Sequence, residues 1–479
     1  MKIEGIEVER ALESVRTALR EDLGLSTSLR TALEMLLVLV TVLLNRVTLG
    51  SRNSSTPPSQ DPHRQKKSRQ GPSGRARGGQ PGHLGTTLMP VGEPDEIQAL
   101  AVNREMLPPG RRYREAGFER RQVIDLDIRR CVIEYRAQIL EDGQGGRYVA
   151  PFPDGVTRPV QYGRRVKAHA VYLSQFQLLP YDRIRDQLQE QMAVPVSVGS
   201  LYRFNVEAYE RLEWFEPWVK DALAEAKRAN ADETGINIDG KGHWLHGLSN
   251  DDFTLFFPHA KRGTEAMDEI GVLPQFHGIL CHDHGKPYYR YTDCTHALCN
   301  AHHLRELERA WEQDGQPWAQ TMQELLLEIN RAVKEAGGSL GPEASVRWRD
   351  RYRTLLAQAD QECPPPDEQE RRRRCGRIKR SKARNLLERL RDYEDDVLRF
   401  MEDPIVPFTN NQGENDLRMT KVQQKISGCF RSMEGAKMFC RIRSYLSTCR
   451  KQGVTATEAL ALLFRGERPA FMQGGIGAE

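Results

Sequence analysis

Residues 229–260, ANADETGINIDGKGHWLHGLSNDDFTLFFPHA, decide the fold that the sequence predicts. Apolar and aromatic residues alternate with polar ones, and the pattern is interrupted at Asp239-Gly240 and again at residues 250–252. An Asp-Gly pair between alternating segments is a strong signal for a two-residue hairpin turn. The stretch therefore predicts three antiparallel strands joined by two turns.

A helix and a fourth strand follow these three strands. Residues 263–271, GTEAMDEIG, have a helical pattern, and residues 278–284, GILCHDH, have the pattern of an apolar strand. After a helical crossover, the fourth strand can pair parallel to the first. The order βββαβ is that of a ribonuclease-H-like sheet, so we predict an α/β fold with a ribonuclease-H-like core.

This strand order brings two acidic residues together. Asp232 lies on the first strand and Asp283 at the end of the fourth, which is its neighbour. Two carboxylates about 4 Å apart repel by roughly 4 kcal/mol at an effective dielectric constant near 20, which favours protonation of one of them or a bound cation. Mg²⁺ prefers oxygen ligands of this kind. The pair therefore predicts a divalent metal site that needs a third ligand.

Glu414 is the candidate for the third ligand. It lies in residues 409–419, TNNQGENDLRM, near the start of a predicted helix for which Asn410 and Asn411 are N-cap candidates. Positions i+4, i+7 and i+11 from Glu414 share its face of the helix and carry basic residues suited to DNA phosphates. These residues are Arg418, Lys421 and Lys425.

Each acid also has an ordinary structural explanation. Asp232 and Asp283 could simply end strands, and an acidic residue in the first turn of a helix compensates the helix dipole. Asp416 lies on nearly the opposite side of the helix from Glu414 and is the poorer candidate. Only the three acids taken together indicate a catalytic metal centre.

The N-terminal 90 residues change character at residue 50. Residues 1–50 have a helical pattern with a break at Gly24, and their apolar run MLLVLVTVLL is too short to span a membrane but suits self-association. Residues 51–90 are rich in Ser, Pro, Gly, Arg and Lys, with almost nothing apolar to bury. Arg75 and Arg77 lie in this basic linker or arm, which could enter a DNA minor groove or act only as a solvated tether.

Two units separate this arm from the predicted strands. Residues 91–158 predict a small β module, with the alternation typical of a hairpin at 120–140. Residues 159–228 contain three helical segments joined by short turns, as in a helix-turn-helix unit, with Arg203 near the start of the recognition helix. Three short helices also form purely structural bundles, so DNA contact and simple packing are both open.

The rest of the chain is expected to complete the core around a helical insertion. Residues 229–300 form its first part, residues 301–400 the insertion, and residues 401–479 its final part with the Glu414 helix and C-terminal helices. The basic run at 371–384 lies between two of the acids, which favours phosphate contact over a purely solvated charge run. Its candidate contacts are Arg377, Lys379, Arg380 and Lys382.

Residues 281–303 are rich in Cys and His, and Cys299 and His302 have the spacing of metal ligands on a helix. A second Cys pair at fixed spacing is missing. We therefore favour a polar brace beside Asp283 over a structural zinc site at these two residues.

Composition limits the class of protein. The 70 Lys and Arg residues nearly balance 66 Asp and Glu residues, so a nucleic-acid-binding surface must be local. Nine Cys in 479 residues, without the N-terminal pattern of a signal peptide, argue against a disulfide scaffold. We expect a cytoplasmic, nucleoid-associated protein with no membrane partner.

Several longer motifs resemble one known family, the transposases of the insertion-sequence-66 family. The resemblance runs from about residue 162 to the C-terminus and extends to the arm at 53–85. Its motifs are DETG at 232–235, CHDH at 281–284, PYYRY at 287–291, HALCNAHHLREL at 296–307, RSKARNLLERL at 380–390 and PFTNNQGENDLRMTKVQQKISGCFRS at 407–432.

The resemblance implies a DDE catalytic triad, and the family motifs place it on Asp232, Asp283 and Glu414. It also implies DNA as partner, both element terminal repeats and target DNA, a homo-oligomer on that DNA, and accessory proteins encoded by the element. The family usually has a zinc module with paired CxxC motifs, but Cys131 is the single cysteine in residues 91–160. We therefore expect no zinc in the N-terminal module.

The predicted function is metal-dependent DNA strand cleavage and strand transfer. Two divalent cations, Mg²⁺ or Mn²⁺ as a substitute, would lie about 3.5–4 Å apart between the three acids. Two alternatives remain at this stage: a catalytically silent DNA-binding protein and a stand-alone ribonuclease-H-like nuclease.

Overall fold

The chain begins with a short hairpin and two helices. In a computed structural model, the structure describes residues 2–3, 6–21, 24, 26–48, 88–366 and 380–473. Strands β1 (Lys2–Ile3) and β2 (Ile6–Glu7) pair antiparallel. Helices α1 (Val8–Glu21) and α2 (Thr27–Thr48) follow, which agrees with the break predicted at Gly24.

Helix α2 carries exposed apolar side chains. Met35, Leu36, Val38, Leu39 and Leu43 are each more than half exposed to solvent. Burial of such surface is favourable, so a contiguous set of this kind indicates a contact surface. Among the helices that the structure describes, none has the length and apolar character needed to cross a membrane.

The predicted hairpin lies later in the chain than the alternation at 120–140 indicated. Strands β3 (Ile139–Glu141) and β4 (Arg147–Val149) pair antiparallel, and residues 107–138 contain no strand. The β-branched side chains at 120–138 stay mostly exposed, so their alternation has no packing surface to select it. The turn fixes the position of the hairpin instead, because Asp142 Oδ1 accepts hydrogen bonds from two backbone N–H groups of the turn, at 2.7 and 2.9 Å.

Four helices lie between β4 and the large sheet. They are α3 (Arg164–Val171), which continues through a wider π-helical turn to Phe176, α4 (Tyr181–Met192), α5 (Val198–Arg211) and α6 (Phe215–Ala224). The first three occupy the three helical segments that the sequence predicted. Ser197 caps α5 by accepting a hydrogen bond from the backbone N–H of Ser200 at 3.1 Å.

A five-stranded mixed sheet forms the centre of the fold. Its strands are β5 (Arg228–Ile238), β6 (Lys241–Ser249), β7 (Thr254–His259), β8 (Ile279–His282) and β9 (Thr295–Leu298), with α7 (Thr264–Ile270) between β7 and β8. The strand order is β7-β6-β5-β8-β9, with β5, β6 and β7 antiparallel and β8 and β9 parallel to β5. Asp239 and Gly240 both have positive φ, +50° and +74°, as a primed hairpin turn requires.

After β9, the described residues contain five further helices in the range predicted as the insertion. They are α8 (Asn300–Glu312), α9 (Pro317–Glu335), α10 (Pro342–Glu362), α11 (Lys382–Asp392) and α12 (Glu394–Glu402). They bury their own apolar core around Trp318 and Tyr352, and the Tyr352 hydroxyl donates a 2.8 Å hydrogen bond to the Leu390 carbonyl. Cys281 and Leu298 of the sheet belong to the same cluster, so the insertion packs on the β8–β9 side of the sheet.

In the described part of the chain, three further helices follow: α13 (Asn411–Ser427), α14 (Met433–Lys451) and α15 (Ala456–Arg465). Phe215 of α6, Leu280 of β8 and Tyr445 of α14 lie in one buried cluster, and the rings of Phe215 and Tyr445 meet edge to face at 5.5 Å. The helices before the sheet therefore share a core with the sheet and the C-terminal helices.

Helices cover both edges of the sheet. At β7, Ser444 Oγ and Thr448 Oγ1 of α14 accept hydrogen bonds from the backbone N–H groups of Phe256 (2.8 Å) and Thr254 (3.0 Å). At β9, the Arg399 side chain of α12 donates a 2.8 Å hydrogen bond to the backbone carbonyl of His296. Backbone groups that would otherwise face outward are thus satisfied within the chain.

Candidate active site

Asp232 and Asp283 lie at the same level of two neighbouring strands. In the parallel pair of β5 and β8, Asn230 stands opposite Cys281, and each acid lies two residues further on. Side chains two residues apart on a strand point to the same face, so the acids approach each other at the carboxyl end of the pair. The predicted pairing of the first and fourth strands is confirmed by this register.

The electrostatics of Asp232 reflect this crowding. Burial and, after it, the negative charges of Glu233, Asp283 and Glu414 together raise the pKa of the Asp232 carboxyl to about 8, although a 2.9 Å hydrogen bond from the Glu233 N–H acts in the opposite direction. Without a cation, Asp232 therefore holds a proton at neutral pH. A divalent ion would compensate the negative charges of the neighbouring carboxylates and so favour the deprotonated form of Asp232.

Helix α13 brings Glu414 to the same region. Asn410 occupies the N-cap position, but its side chain does not cap the helix; its Nδ2 donates to the Ala231 carbonyl at 3.0 Å, next to Asp232. The backbone N–H of Asn410 donates to Cys299 Sγ at 3.1 Å. Asn410 thus fixes the start of α13 against both β5 and the start of α8.

Asp416 has a different environment. Its carboxylate accepts a 2.9 Å ion-paired hydrogen bond from Lys451 of α14, away from Asp232. Glu414 instead contributes to the potential at Asp232. Of these two acids, Glu414 is therefore the one that acts on Asp232, and its role as the third acid of a catalytic group stays a prediction.

Three other side chains surround the Glu414 carboxylate. His302 Nδ1 lies 3.8 Å and Arg305 Nη2 lies 3.6 Å from Glu414 Oε1. Among the described residues, Cys299, His302 and Glu414 are the group whose potential ligand atoms all lie within 4.8 Å of one another. Cys299 and His302 thus lie close to Glu414, and their role as a polar brace stays a prediction.

Glu233, Tyr288 and Arg262 form a second group beside the acids, which was not predicted from the sequence. The Glu233 side chain is only 3% exposed; it accepts hydrogen bonds from the Tyr288 hydroxyl at 2.5 Å and from Arg262 Nε at 2.7 Å. Burial raises the pKa of Tyr288 well above its ordinary value, so its hydroxyl remains a donor. The motifs DETG and PYYRY contain Glu233 and Tyr288, but nothing in the sequence indicated that they pair.

A row of hydrogen-bonded histidines lies next to Asp283. The backbone N–H of His284 donates to His282 Nδ1, His282 Nε2 lies 3.2 Å from His296 Nδ1, and His296 Nε2 lies 3.2 Å from the Tyr291 carbonyl. Burial lowers the pKa of both His282 and His296. This row connects β8 to β9 immediately before the loop that carries Asp283.

The predicted DNA-contacting residues divide into three groups. Arg203, Lys382, Arg418 and Lys425 are exposed. Two others have partners within the chain, since Arg380 pairs with Glu388 and Lys421 donates to the Gly235 carbonyl of β5. The remaining four lie outside the described residues: Arg75, Arg77, Arg377 and Lys379.

Comparison with known proteins identifies the class. Residues 159–438, more than half of the chain, match the family model described as Transposase IS66 family, and this range contains all three acids. The match places the chain among the transposases. Within that class, the chain belongs to the IS66 family, which confirms the resemblance predicted from the motifs.

A shorter similarity is found with one curated protein. The chain is 36% identical over 70 residues to the uncharacterized protein y4jO of Sinorhizobium fredii (strain NBRC 101917 / NGR234). The matched segment covers 15% of this chain and 22% of the relative, so the chain spans about a fifth of that protein.

Proposed function

We propose that this chain cleaves DNA at the ends of an insertion sequence and joins those ends to target DNA. Asp232, Asp283 and Glu414 would form the catalytic DDE triad of a ribonuclease-H-like core. The observation that carries the proposal is that Asp232 and Asp283 lie side by side in the β5–β8 register and that Glu414, at the start of α13, adds to the negative potential at Asp232, within the range that matches the transposase family. The strand order, with β5 between an antiparallel and a parallel neighbour, supports the ribonuclease-H-like assignment.

The donor set of the triad fits hard divalent cations. Asp232, Asp283 and Glu414 offer only carboxylate oxygens, which Mg²⁺ and Mn²⁺ accept. The raised pKa of Asp232 supports the fit, because three carboxylates in one partly buried place are unfavourable without positive charge. When bound, two such ions supply activation of the attacking water or 3′-hydroxyl and stabilisation of the leaving oxygen.

The chain's own residues would organise this site. Asp232, Asp283 and Glu414 would hold the ions as carboxylates, and the positive charge of the ions would favour the deprotonated form of Asp232. Glu233, held by Tyr288 and Arg262, fixes the strand and loop that carry Asp232 and Asp283. Such supporting contacts orient metal ligands and strengthen their binding.

The DNA would run along the exposed basic side of α13. Arg418 and Lys425 lie on that helix beyond Glu414, and both are exposed. The helices α3 to α5, as a helix-turn-helix unit with Arg203 exposed on α5, would contact the element end, together with the basic arm at 51–90. Phosphate contacts of this kind position DNA without selecting its sequence.

The decisive experiment is cleavage and strand transfer on element-end DNA with Mg²⁺ or Mn²⁺. Asp232→Asn, Asp283→Asn and Glu414→Gln each keep the side-chain shape but remove a charged ligand, and we expect each to lower the rate at least about 100-fold. Asp239→Asn is the matched control on the exposed hairpin turn after β5, where its positive φ suits Asn equally well.

Full activity in any one triad variant removes that residue from the catalytic site. Absence of metal-dependent cleavage in the wild-type chain, with DNA binding retained, would instead favour a catalytically silent DNA-binding protein.

A further inference from the structure

Cys299, His302 and Glu414 form a second, chemically different group around the third acid. Cys299 precedes α8, His302 lies in the first turn of α8, and Glu414 lies in the first turn of α13. Their sulfur, nitrogen and oxygen atoms all lie within 4.8 Å of one another, although the three residues are brought together from segments more than a hundred positions apart. A small movement of these side chains would let one ion contact all three.

Two polar atoms of this group lack hydrogen-bond partners among the described residues, although they lie 3.8 Å from each other and Arg305 Nη2 lies 3.6 Å from Glu414 Oε1. His302 Nδ1 and Glu414 Oε1 are both inaccessible to solvent and make no hydrogen bond with any described residue. The same is true of the Asn410 Oδ1 atom beside them, whose residue is 2% exposed. Buried polar groups are normally satisfied, so several unpaired atoms in one place indicate a missing ligand.

The donor types select the class of that ligand. A thiolate, an imidazole and a carboxylate together suit Zn²⁺ and related transition metals, whereas Mg²⁺ prefers oxygen alone. Three protein ligands leave a fourth position open, as in sites that are not purely structural. One thiolate and one carboxylate balance a divalent charge, with Arg305 as the remaining positive neighbour of Glu414.

We propose that Cys299, His302 and Glu414 bind a zinc-class divalent ion, and that this ion competes with the catalytic cations for Glu414. The second part rests on the proposed function, since Glu414 is also the third acid of the DDE triad. An ion held by Cys299 and His302 takes the Glu414 carboxylate away from Asp232 and Asp283. Zinc is therefore an inhibitor of strand cleavage in this chain.

The first experiment measures metal binding without DNA or activity. Co²⁺ replaces Zn²⁺ as a coloured probe and is titrated into the full-length chain. We expect one equivalent to give a sulfur-to-cobalt charge-transfer band, which Zn²⁺ then displaces. Cys299→Ser should abolish the band while keeping an acceptor for the Asn410 N–H, and Cys429→Ser, which removes an exposed thiol, should retain it.

Loss of the band in the Cys429→Ser chain but not in the Cys299→Ser chain would overturn the proposal. So would a wild-type chain that shows no such band at stoichiometric Co²⁺. Glu414→Gln and His302→Asn should each weaken Co²⁺ binding about 10-fold or more, and unchanged affinity in both would remove them from the site.

The second experiment tests competition. Zn²⁺ is added to the Mg²⁺-dependent cleavage reaction, and each variant is compared with its own rate without zinc. We expect zinc to inhibit the wild-type and Cys429→Ser chains. The Cys299→Ser chain should keep most of its rate when zinc is added. Equal inhibition of all three chains rejects the sharing of Glu414, whereas a chain that binds Co²⁺ but never cleaves DNA rejects only the proposed function.

Discussion

His282 and His296 show how single hydrogen bonds fix protonation near the acids. The Tyr291 carbonyl can only accept, so His296 Nε2 carries a hydrogen and His296 Nδ1 is an acceptor. The His284 N–H donates to His282 Nδ1, so His282 Nε2 is the donor to His296. Both rings are therefore neutral, and a further proton on either ring would break one of these hydrogen bonds.

This arrangement predicts a pH dependence of stability. The pKa values of His282 and His296 are lowered by burial, so the unfolded chain binds more protons near its ordinary histidine pKa of about 6.5. The stabilisation is therefore complete above about pH 6.5 and is lost as the pH falls, by at most about 1.4 kcal/mol per pH unit for each histidine. Urea unfolding between pH 5 and pH 8 measures it.

The matched variants are His282→Gln, which keeps a donor for His296 but cannot gain a proton, and His277→Gln at an exposed position. We expect a shallower pH dependence only for His282→Gln. Parallel curves for both variants and the wild-type chain would show that the buried histidines do not set it.

At the scale of elements, the position of α13 on the sheet depends on a glycine. Leu417 of α13 packs onto Gly247 of β6, where an added Cβ would lie 3.1 Å from the Leu417 side chain. The helix is also bonded to β5 at two points, by Asn410 at its start and by Lys421 in its middle. The distance of Glu414 from the strands is therefore set by packing as well as by hydrogen bonds.

Gly247→Ala should move α13 away from the sheet. We expect the free energy of unfolding to fall by about 1–3 kcal/mol because of overpacking against Leu417. Gly242→Ala on the same strand is the control, since no atom lies within 4 Å of its added Cβ. Chemical denaturation measures the loss.

Combining Gly247→Ala with Leu417→Ala should cost less than the sum of the two single changes, because the overcrowding disappears. Additive losses, or equal stabilities for the Gly247 and Gly242 variants, would mean that this contact does not limit the approach of α13.

At the scale of the whole molecule, the sequence predicted local patterns better than their assembly. The antiparallel strands, their parallel fourth neighbour and the helices of residues 164–211 followed from alternation, turn residues and helical periodicity. Two features could not be predicted from these local patterns: the short strand β9, and the core that those helices share with the sheet. Long-range packing leaves no local signal in the sequence. The hairpin at 139–149 was misplaced because alternation without a packing surface does not select a strand.

The candidate site was predictable to the same extent. Its three acids could be proposed from strand order and helix face, and their catalytic roles remain predictions. Glu233 could not be recognised as a supporting residue, since its partners Tyr288 and Arg262 are 55 and 29 positions away in the chain. The contact of Cys299 and His302 with Glu414 depends on the same kind of tertiary proximity.

Self-association is the prediction that belongs to the whole molecule. The exposed apolar side chains of α2 would be buried by a second copy, and Leu39→Lys would place a charge in that interface at a large cost. We expect light scattering to show a smaller assembly for Leu39→Lys and an unchanged one for Glu34→Lys, at an exposed position on the same helix. A Leu39→Lys chain with the wild-type mass would reject this role of α2.

The covered sheet edges restrict how two copies can meet. Strand-by-strand extension from one protein into another needs free backbone donors and acceptors at a border, and here Ser444, Thr448 and Arg399 already occupy those at β7 and β9. Extension of the sheet into a second copy is therefore opposed at those positions of β7 and β9. Two copies that hold two DNA ends, as the proposed function requires, would meet through surfaces other than these strand edges.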